Sequence, residues 1–313
     1  MIEPNIAVLG GKSPLRIAKR FFLATRPMFF TASVLPVVIG TIAGATQAGS
    51  LNVIYFALAL ASIVCVHAGV NVFNDVCDAK SGTDQANVRR VHPFTGGSRF
   101  IQNGVMSVGE MSTLASTLFA LGGLLGAILF AFKGAIILLF GAIGLALGTL
   151  YSMYPVQLAG RGLGEISVGM GFGVLPVVGS TWLQTDVLSG QAALLSLPLG
   201  FWIAAVLIAN EVPDVEADAA AGKRTLVVRL GAARGKFLYI AVQAAALGSI
   251  GVGAWLGRLP AWGLIVPALL FVAALVAAAK VSGSREDITH AIKLTLAIHL
   301  VGGTWLCLLA VAA

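Results

Sequence analysis

Hydrophobic residues run along this chain in long unbroken blocks, and the charged positions gather between them. Residues 27–74 contain no Asp, Glu, Lys or Arg, room for two helices of about 20 residues, with a break at Gly49-Ser50-Leu51-Asn52. Further charge-free runs cover 111–132, 134–160, 166–185, 187–210, 237–257, 259–279 and 294–313. These blocks are too long and too continuous for the alternating strands of about 10 residues that build a β-barrel. The pattern predicts an all-α integral membrane protein with nine transmembrane helices. It reads as one membrane domain over 1–313, with a polar N-terminal segment at 1–20 and polar loops at 75–110 and 211–236.

Composition agrees with the pattern. The chain is 58% hydrophobic and 11% charged, against about 25% charged for a soluble domain, and its mean hydropathy is +0.94. Soluble enzymes, secreted disulfide scaffolds and disordered regulators are excluded. The first 20 residues lack an apolar core before a small-residue cleavage site, so no cleaved signal peptide is expected. Cys65, Cys77 and Cys307 have no metal-ligand spacing and read as packing residues.

Charge then orients the bundle. With nine spans and the N-terminus inside, only Lys133 and Arg258 among the Lys and Arg residues fall outside, a strong positive-inside bias. The expectation is a multi-pass protein of the cell (cytoplasmic) membrane, N-terminus cytoplasmic and C-terminus outside. The net charge of +7 is accounted for by that bias and by attraction to anionic membrane lipid. It is not a nucleic-acid footprint, and no nucleic acid is expected as partner.

Among the acidic residues only Asp186 falls outside; the other twelve are inside, and two groups of them matter. Asn71, Asn74, Asp75, Asp78 and Asp84 sit where the second span ends, and Asn210, Glu211, Asp214, Glu216 and Asp218 where the sixth ends. The segments Asn74-Asp75-Val76-Cys77-Asp78 and Asn210-Glu211-Val212-Pro213-Asp214 nearly repeat. The first four and the next four spans therefore read as two related halves around a cytoplasm-facing cavity. Residues three or four apart share a helix face, so Asp75 with Asp78, and Asp214 with Asp218, present paired carboxylates. Packed like charges call for a cation. Carboxylates with amide oxygens form the hard-oxygen environment that Mg²⁺ takes, completed by substrate phosphates. The candidate metal ligands are Asn71, Asn74, Asp75, Asp78, Asp84, Asn210, Asp214 and Asp218. A solvated acidic cap explains one such cluster, and two matching clusters beside basic residues much less well.

The bases suggest the substrate. Lys223 and Arg224 follow the second cluster, and Arg90 and Arg99 follow the first. Acids alone suggest metal and bases alone suggest lipid headgroups; together they suggest a metal-bridged diphosphate, held by Arg forks and Lys point charges. Arg234 and Lys236 read as topology signals only.

With those residues in hand, the chain resembles the UbiA superfamily of intramembrane prenyltransferases. Asn74-Asp75-x-x-Asp78 with Asp84 is similar to its first Asn/Asp-rich signature, and Asp214-x-x-x-Asp218 before Gly222-Lys223-Arg224-Thr225-Leu226 to its second. Tyr151-Ser152-x-x-Pro155 and Arg161-Gly162-Leu163-Gly164-Glu165 are similar to the subgroup that prenylates 1,4-dihydroxy-2-naphthoate in menaquinone synthesis. Val76-Cys77 and Pro213 depart from that subgroup, where an aromatic and an Arg are common. The resemblance implies Mg²⁺-dependent transfer from a polyprenyl diphosphate to an electron-rich aromatic small-molecule acceptor. It implies Asp75, Asp78, Asp214, Asp218 and Tyr151 as catalytic residues, the last through cation–π contact with the allylic cation. Lys223, Arg224, Arg90 and Arg99 would bind the diphosphate. Other acceptors within the superfamily are 4-hydroxybenzoate, homogentisate, haem, chlorophyll and lipid precursors. The rival class is a cation-coupled transporter, whose acids would lie nearer the bilayer midplane.

Lesser features carry structural expectations. Ser107 and Glu110 read as a capping box with Met106 and Met111 as its staple. Pro213 should end the sixth helix. Glu165 is expected to pair with Arg161, or else to serve the acceptor. His67, two turns before Asp75, is expected in a helix–helix hydrogen bond and is a candidate to face the cavity.

Overall fold

The computed structural model describes residues 3–312, and all regular structure within them is helical. Eight helices are long and apolar enough to cross a membrane, and a ninth, Ile136–Ser152, is apolar but shorter. We number them α1 (Thr31–Ala48), α2 (Val53–Ser81), α3 (Val108–Lys133), α4 (Ile136–Ser152) and α5 (Gly164–Thr185), then α6 (Gly190–Glu211), α7 (Ala232–Trp255), α8 (Ala261–Lys280) and α9 (Arg285–Ala312). Before them lies a short amphipathic helix, Pro14–Ala24, capped by Ser13.

The expected breaks fall where the chain chemistry places them. α1 ends at Gly49 in the left-handed region, φ +68, and Asn52 caps α2 by accepting from the Tyr55 amide at 3.1 Å. The Ser107–Glu110 capping box opens α3, with the Ser107 amide donating to Glu110 Oε2 at 2.7 Å, and Met106 and Met111 are buried in one cluster. α6 stops at Glu211, before Val212 and Pro213.

Two spans differ from expectation. α4 ends at Ser152 rather than near 160, because the chain turns out through Tyr154 and Pro155 and a 3₁₀ turn at Ala159–Arg161. α9 begins at Arg285, several residues before the apolar run. Its first turn carries Glu286 and Asp287, acidic residues that the positive helix N-terminus favours.

The two halves pack alike. α2 lies along α3, α6 lies along α7, and α1 and α5 cross at the centre. A Cβ on Gly40 would collide with the Val177 carbonyl, so the α1–α5 crossing requires glycine there, and Thr181 Oγ1 donates to the Gly40 carbonyl at 2.9 Å. α9 closes the bundle against α1, α6 and α8 around Leu199, Trp202, Ile292, Ile298 and Leu306. Leu139, Leu269 and Leu308 stand exposed on the outer faces, as lipid-facing residues do.

Candidate active site

The polar loops fold over one end of the bundle and bring both acidic motifs together. Asp75 and Asp78 ride on the last turns of α2, Asp84 on a short helix at Thr83–Ala86, and Asp218 on another at Val215–Ala220; all four are buried. Asp214 stands at the N-terminal boundary of that last helix without a side-chain capping bond. Lys223 bridges the motifs, its Nζ 3.6 Å from Asp78 Oδ2 and 3.7 Å from Asp218 Oδ1. Asn87 bridges them a second time, donating its amide to Asp214 Oδ1 at 2.7 Å. A third link, Arg89 to Glu216 at 2.9 Å, has both side chains more than two-thirds exposed and contributes little stability.

Burial dominates the electrostatics of the loop groups. It pushes Asp84 up to about 7, with Asp78 adding to the shift. It pushes Asp218 up to about 6 and raises Asp214, where hydrogen bonds from Asn87 and Thr95 work the other way. At Lys223 burial opposes the charge, yet Asp78 and Asp218 outweigh it and hold the ammonium above its ordinary pKa. The acids therefore sit where ionisation requires nearby cations.

Arg26 supplies one of these, although by sequence alone it is one more basic residue at a membrane boundary. It pairs with Asp75, which also accepts from the Ser98 amide at 3.2 and 3.3 Å. Its backbone is left-handed at φ 54, which turns the chain from the amphipathic helix into the first span. Asn74 donates to Asp78 Oδ2 at 3.1 Å and to Ser152 Oγ at 2.8 Å, and Asn71 donates to the Thr25 carbonyl at 3.0 Å. Asn210 keeps a buried side-chain oxygen with no partner.

The other candidate bases are placed less directly. Arg90 is held by Glu3 at 2.9 Å and donates to the Asn87 carbonyl. Arg99 is buried and donates to the Asp84 carbonyl at 2.5 Å. Arg224 is exposed at the rim. Gly97, at φ +74, lets the 94–99 turn close on Asp84; a Cβ there would lie 2.6 Å from its Oδ2. Glu165 corrects an expectation: Arg161 spends its guanidinium on the Pro155 and Val156 carbonyls, and Glu165 is buried near Glu211 instead, with neither of its carboxylate oxygens hydrogen-bonded.

Below the carboxylates lies a cavity of about 660 Å³. Arg26, Asn71, Asn74, Tyr151 and Asn210 line its polar end, and Ala59, Leu129, Ile137 and Leu183 its far end. From Asn74 to Ala59 along α2 this is a depth of about 22 Å at about 1.5 Å per residue. Leu129, Trp182 and Leu183 close the bottom, and Lys133 beside them pairs with Asp186 at 2.7 Å over the rings of Tyr55 and Trp182.

The site is thus a pair of acidic motifs converging on basic side chains at the mouth of an apolar chamber, set in a multi-span helical bundle. The chain belongs to the UbiA prenyltransferase family, whose profile matches residues 33–310. It is 30% identical to "1,4-dihydroxy-2-naphthoate octaprenyltransferase" of Bacillus subtilis (strain 168) over 66% of this chain and 64% of that one. A protein of the same description from Mycobacterium tuberculosis is 33% identical over 71% and 73%. The alignment thus spans just under two thirds of the Bacillus relative's length. The fold is that of a UbiA homolog from Archaeoglobus fulgidus solved with GPP and Mg²⁺, with a TM-score of 0.64 at 16% identity, covering 94% of this chain and 100% of that one.

Proposed function

We propose that this protein transfers a polyprenyl group from a prenyl diphosphate to an electron-rich aromatic acceptor, and that the acceptor is 1,4-dihydroxy-2-naphthoate. The observation that carries the reaction class is the convergence of the two acidic motifs on Lys223 directly above an apolar cavity. The Bacillus and Mycobacterium relatives, both 1,4-dihydroxy-2-naphthoate octaprenyltransferases, and the Arg161–Glu165 segment support the naphthoate. The carboxylate end of the bundle then faces the cytoplasm, in the cell membrane, with the C-terminus outside.

The donor chemistry suits Mg²⁺, although the described residues hold no group of three His, Cys, Asp or Glu side chains already set around one point. The donors are hard oxygens throughout, and the unpartnered buried oxygen of Asn210 is an acceptor awaiting a cation or a donor. Asp78, Asp84, Asp214 and Asp218 would hold the metal with Asn74 and Asn210; Asp75, tied to Arg26 and Ser98, orders the ring beside them. Bound there, Mg²⁺ supplies charge stabilisation to the departing diphosphate. Lys223 stands where it can neutralise the same group as the C–O bond breaks. The cavity walls exclude the water that would capture the allylic cation. Tyr151 lines the cavity beside this ring and offers its ring face to that cation. The acceptor carbon then forms the new C–C bond, and the ring regains aromaticity by losing from that carbon its proton, or its carboxylate as CO₂.

The test is prenyl transfer by purified protein in detergent, with and without EDTA, using geranyl and longer diphosphates against the naphthoate and 4-hydroxybenzoate. Chelator-sensitive product with the naphthoate alone supports both parts. Product only with another acceptor removes the naphthoate and keeps the reaction. No consumption of any prenyl diphosphate by folded protein overturns the proposal in favour of transport.

A further inference from the structure

The apolar cavity has one polar seam, and it runs deeper than a prenyl tail requires. His67, Asn71, Asn74 and Asp78 follow at spacings of four, three and four along α2, so they form one stripe on one helix face. Asn71 and Asn74 line the polar end of the cavity, and His67 continues the stripe about 10 Å below Asn74, on the same cavity wall. Another stretch of the lining is of another kind. Gly123, Gly141 and Gly144 line it, and a Cβ added at any of them would meet nothing within 4 Å. That wall offers unobstructed apolar space, which suits a flexible hydrocarbon chain.

His67 is held rather than loose. Its Nδ1 shares a 2.7 Å hydrogen bond with Ser33 Oγ on α1. Phe30 lies edge-on at 5.5 Å and Phe172 at 4.5 Å, ring centre to ring centre. Phe172 reaches this position from a π-helical turn, Met170–Val174, that interrupts α5. Such turns are rare and concentrate at functional sites. The expected helix–helix hydrogen bond is therefore present, but a Ser–His bond alone needs neither the π turn nor a place on the cavity wall. With Nδ1 committed to Ser33, the ring's remaining hydrogen-bonding nitrogen is Nε2, and a side chain lining the cavity can offer it to a ligand there.

We infer that His67 is an acceptor-binding residue: Nε2 hydrogen-bonds a ring hydroxyl of the aromatic acceptor while Phe172 packs on its face, leaving the glycine wall to the prenyl tail. This rests on the proposed transferase reading and adds to it the place and chemistry of the second substrate. Neutral imidazole takes either role toward a hydroxyl, donor or acceptor, by choice of tautomer. An aromatic ring beside Phe172 gains the offset or edge contacts that aromatic pairs favour. An acceptor held along this stripe points its reacting edge up toward the carboxylate ring, where the allylic carbon is released.

The experiment is steady-state kinetics in detergent with each substrate varied in turn. In His67→Phe, which keeps an aromatic ring and loses the nitrogen, the acceptor KM should rise about tenfold or more, as loss of one buried polar partner implies. The prenyl diphosphate KM should stay within about twofold, because the diphosphate ring is untouched. His67→Gln, with an amide near the Nε2 position, should recover most of the loss. Ser33→Ala, which releases the ring but keeps it, should move the acceptor KM the same way by a smaller factor and serves if His67→Phe does not fold. An unchanged acceptor KM in His67→Phe, or in Ser33→Ala where that variant stands in, overturns the assignment, as does an equal rise in both KM values. Wild-type protein that prenylates no aromatic acceptor overturns the underlying reading instead, so the two failures are distinguishable.

Discussion

The amide of Asn87 donates to Asp214 at 2.7 Å, joining the loop after the first acidic motif to the first carboxylate of the second. No charge or motif marks Asn87 in the sequence, yet it is buried and aims one of the site's aspartates. Asn87→Ala should lower kcat/KM for the prenyl diphosphate by about 10- to 100-fold and raise the Mg²⁺ concentration needed for half-maximal rate, the usual consequence of losing a partner behind a ligand. Metal titration of the initial rate checks this.

The four paired carboxylates should be far less forgiving. Asp75→Ala, Asp78→Ala, Asp214→Ala and Asp218→Ala should each cut turnover by about 10²-fold or more, while the protein still inserts in the membrane. Near-normal activity in any two of them would contradict the site.

Arg26 and Lys223 should differ from Arg90. Removing Arg26 strands the buried Asp75 carboxylate, a loss of about 3–5 kcal/mol where a buried pair is broken one-sidedly. Arg26→Ala should therefore lower thermal stability as well as rate. Lys223→Ala should abolish transfer, since it faces both motifs. Arg90, engaged by Glu3 at the partly exposed rim, should tolerate Ala with a loss of about threefold or less, in keeping with the small worth of such pairs. Melting curves and single-turnover rates separate the three.

Much of this is legible in the sequence alone. The spans follow from the absence of charge over 20-residue lengths, and the breaks from residues such as Gly49 and Asn52 whose backbone and side chain stop and start helices. The two acidic motifs were visible because they repeat. What stayed hidden depends on tertiary placement. Arg26 looks like any boundary arginine until the left-handed turn carries it under Asp75. Glu165 looks like the partner of Arg161 until folding gives that guanidinium two carbonyls and sets Glu165 against Glu211. The π turn at Met170–Val174 has no counterpart in hydropathy at all.

The depth of the cavity sets an expectation for chain length. An extended chain advances up to about 3.6 Å over three backbone bonds, so a four-bond isoprene unit takes about 4.8 Å. The depth of about 22 Å from Asn74 to Ala59 then holds four to five units. Catalytic efficiency should climb with prenyl length to that point and level off. Leu129→Ala, which opens the floor, should move the plateau about one unit longer. Competition between prenyl diphosphates of graded length measures both.

That floor also keeps the membrane electrically intact. A chamber reaching through most of a bilayer is one breach away from being a pore, and each elementary charge leaking through would dissipate about 2.3 kcal/mol per 100 mV. Leu129, Trp182 and Leu183 seal the far end with apolar bulk, and Lys133, clamped by Asp186 over two aromatic rings, fixes the seal in place. On the proposed reading the protein is thereby an insulator as well as a vessel, with ionic chemistry at one face and an apolar seal beneath it.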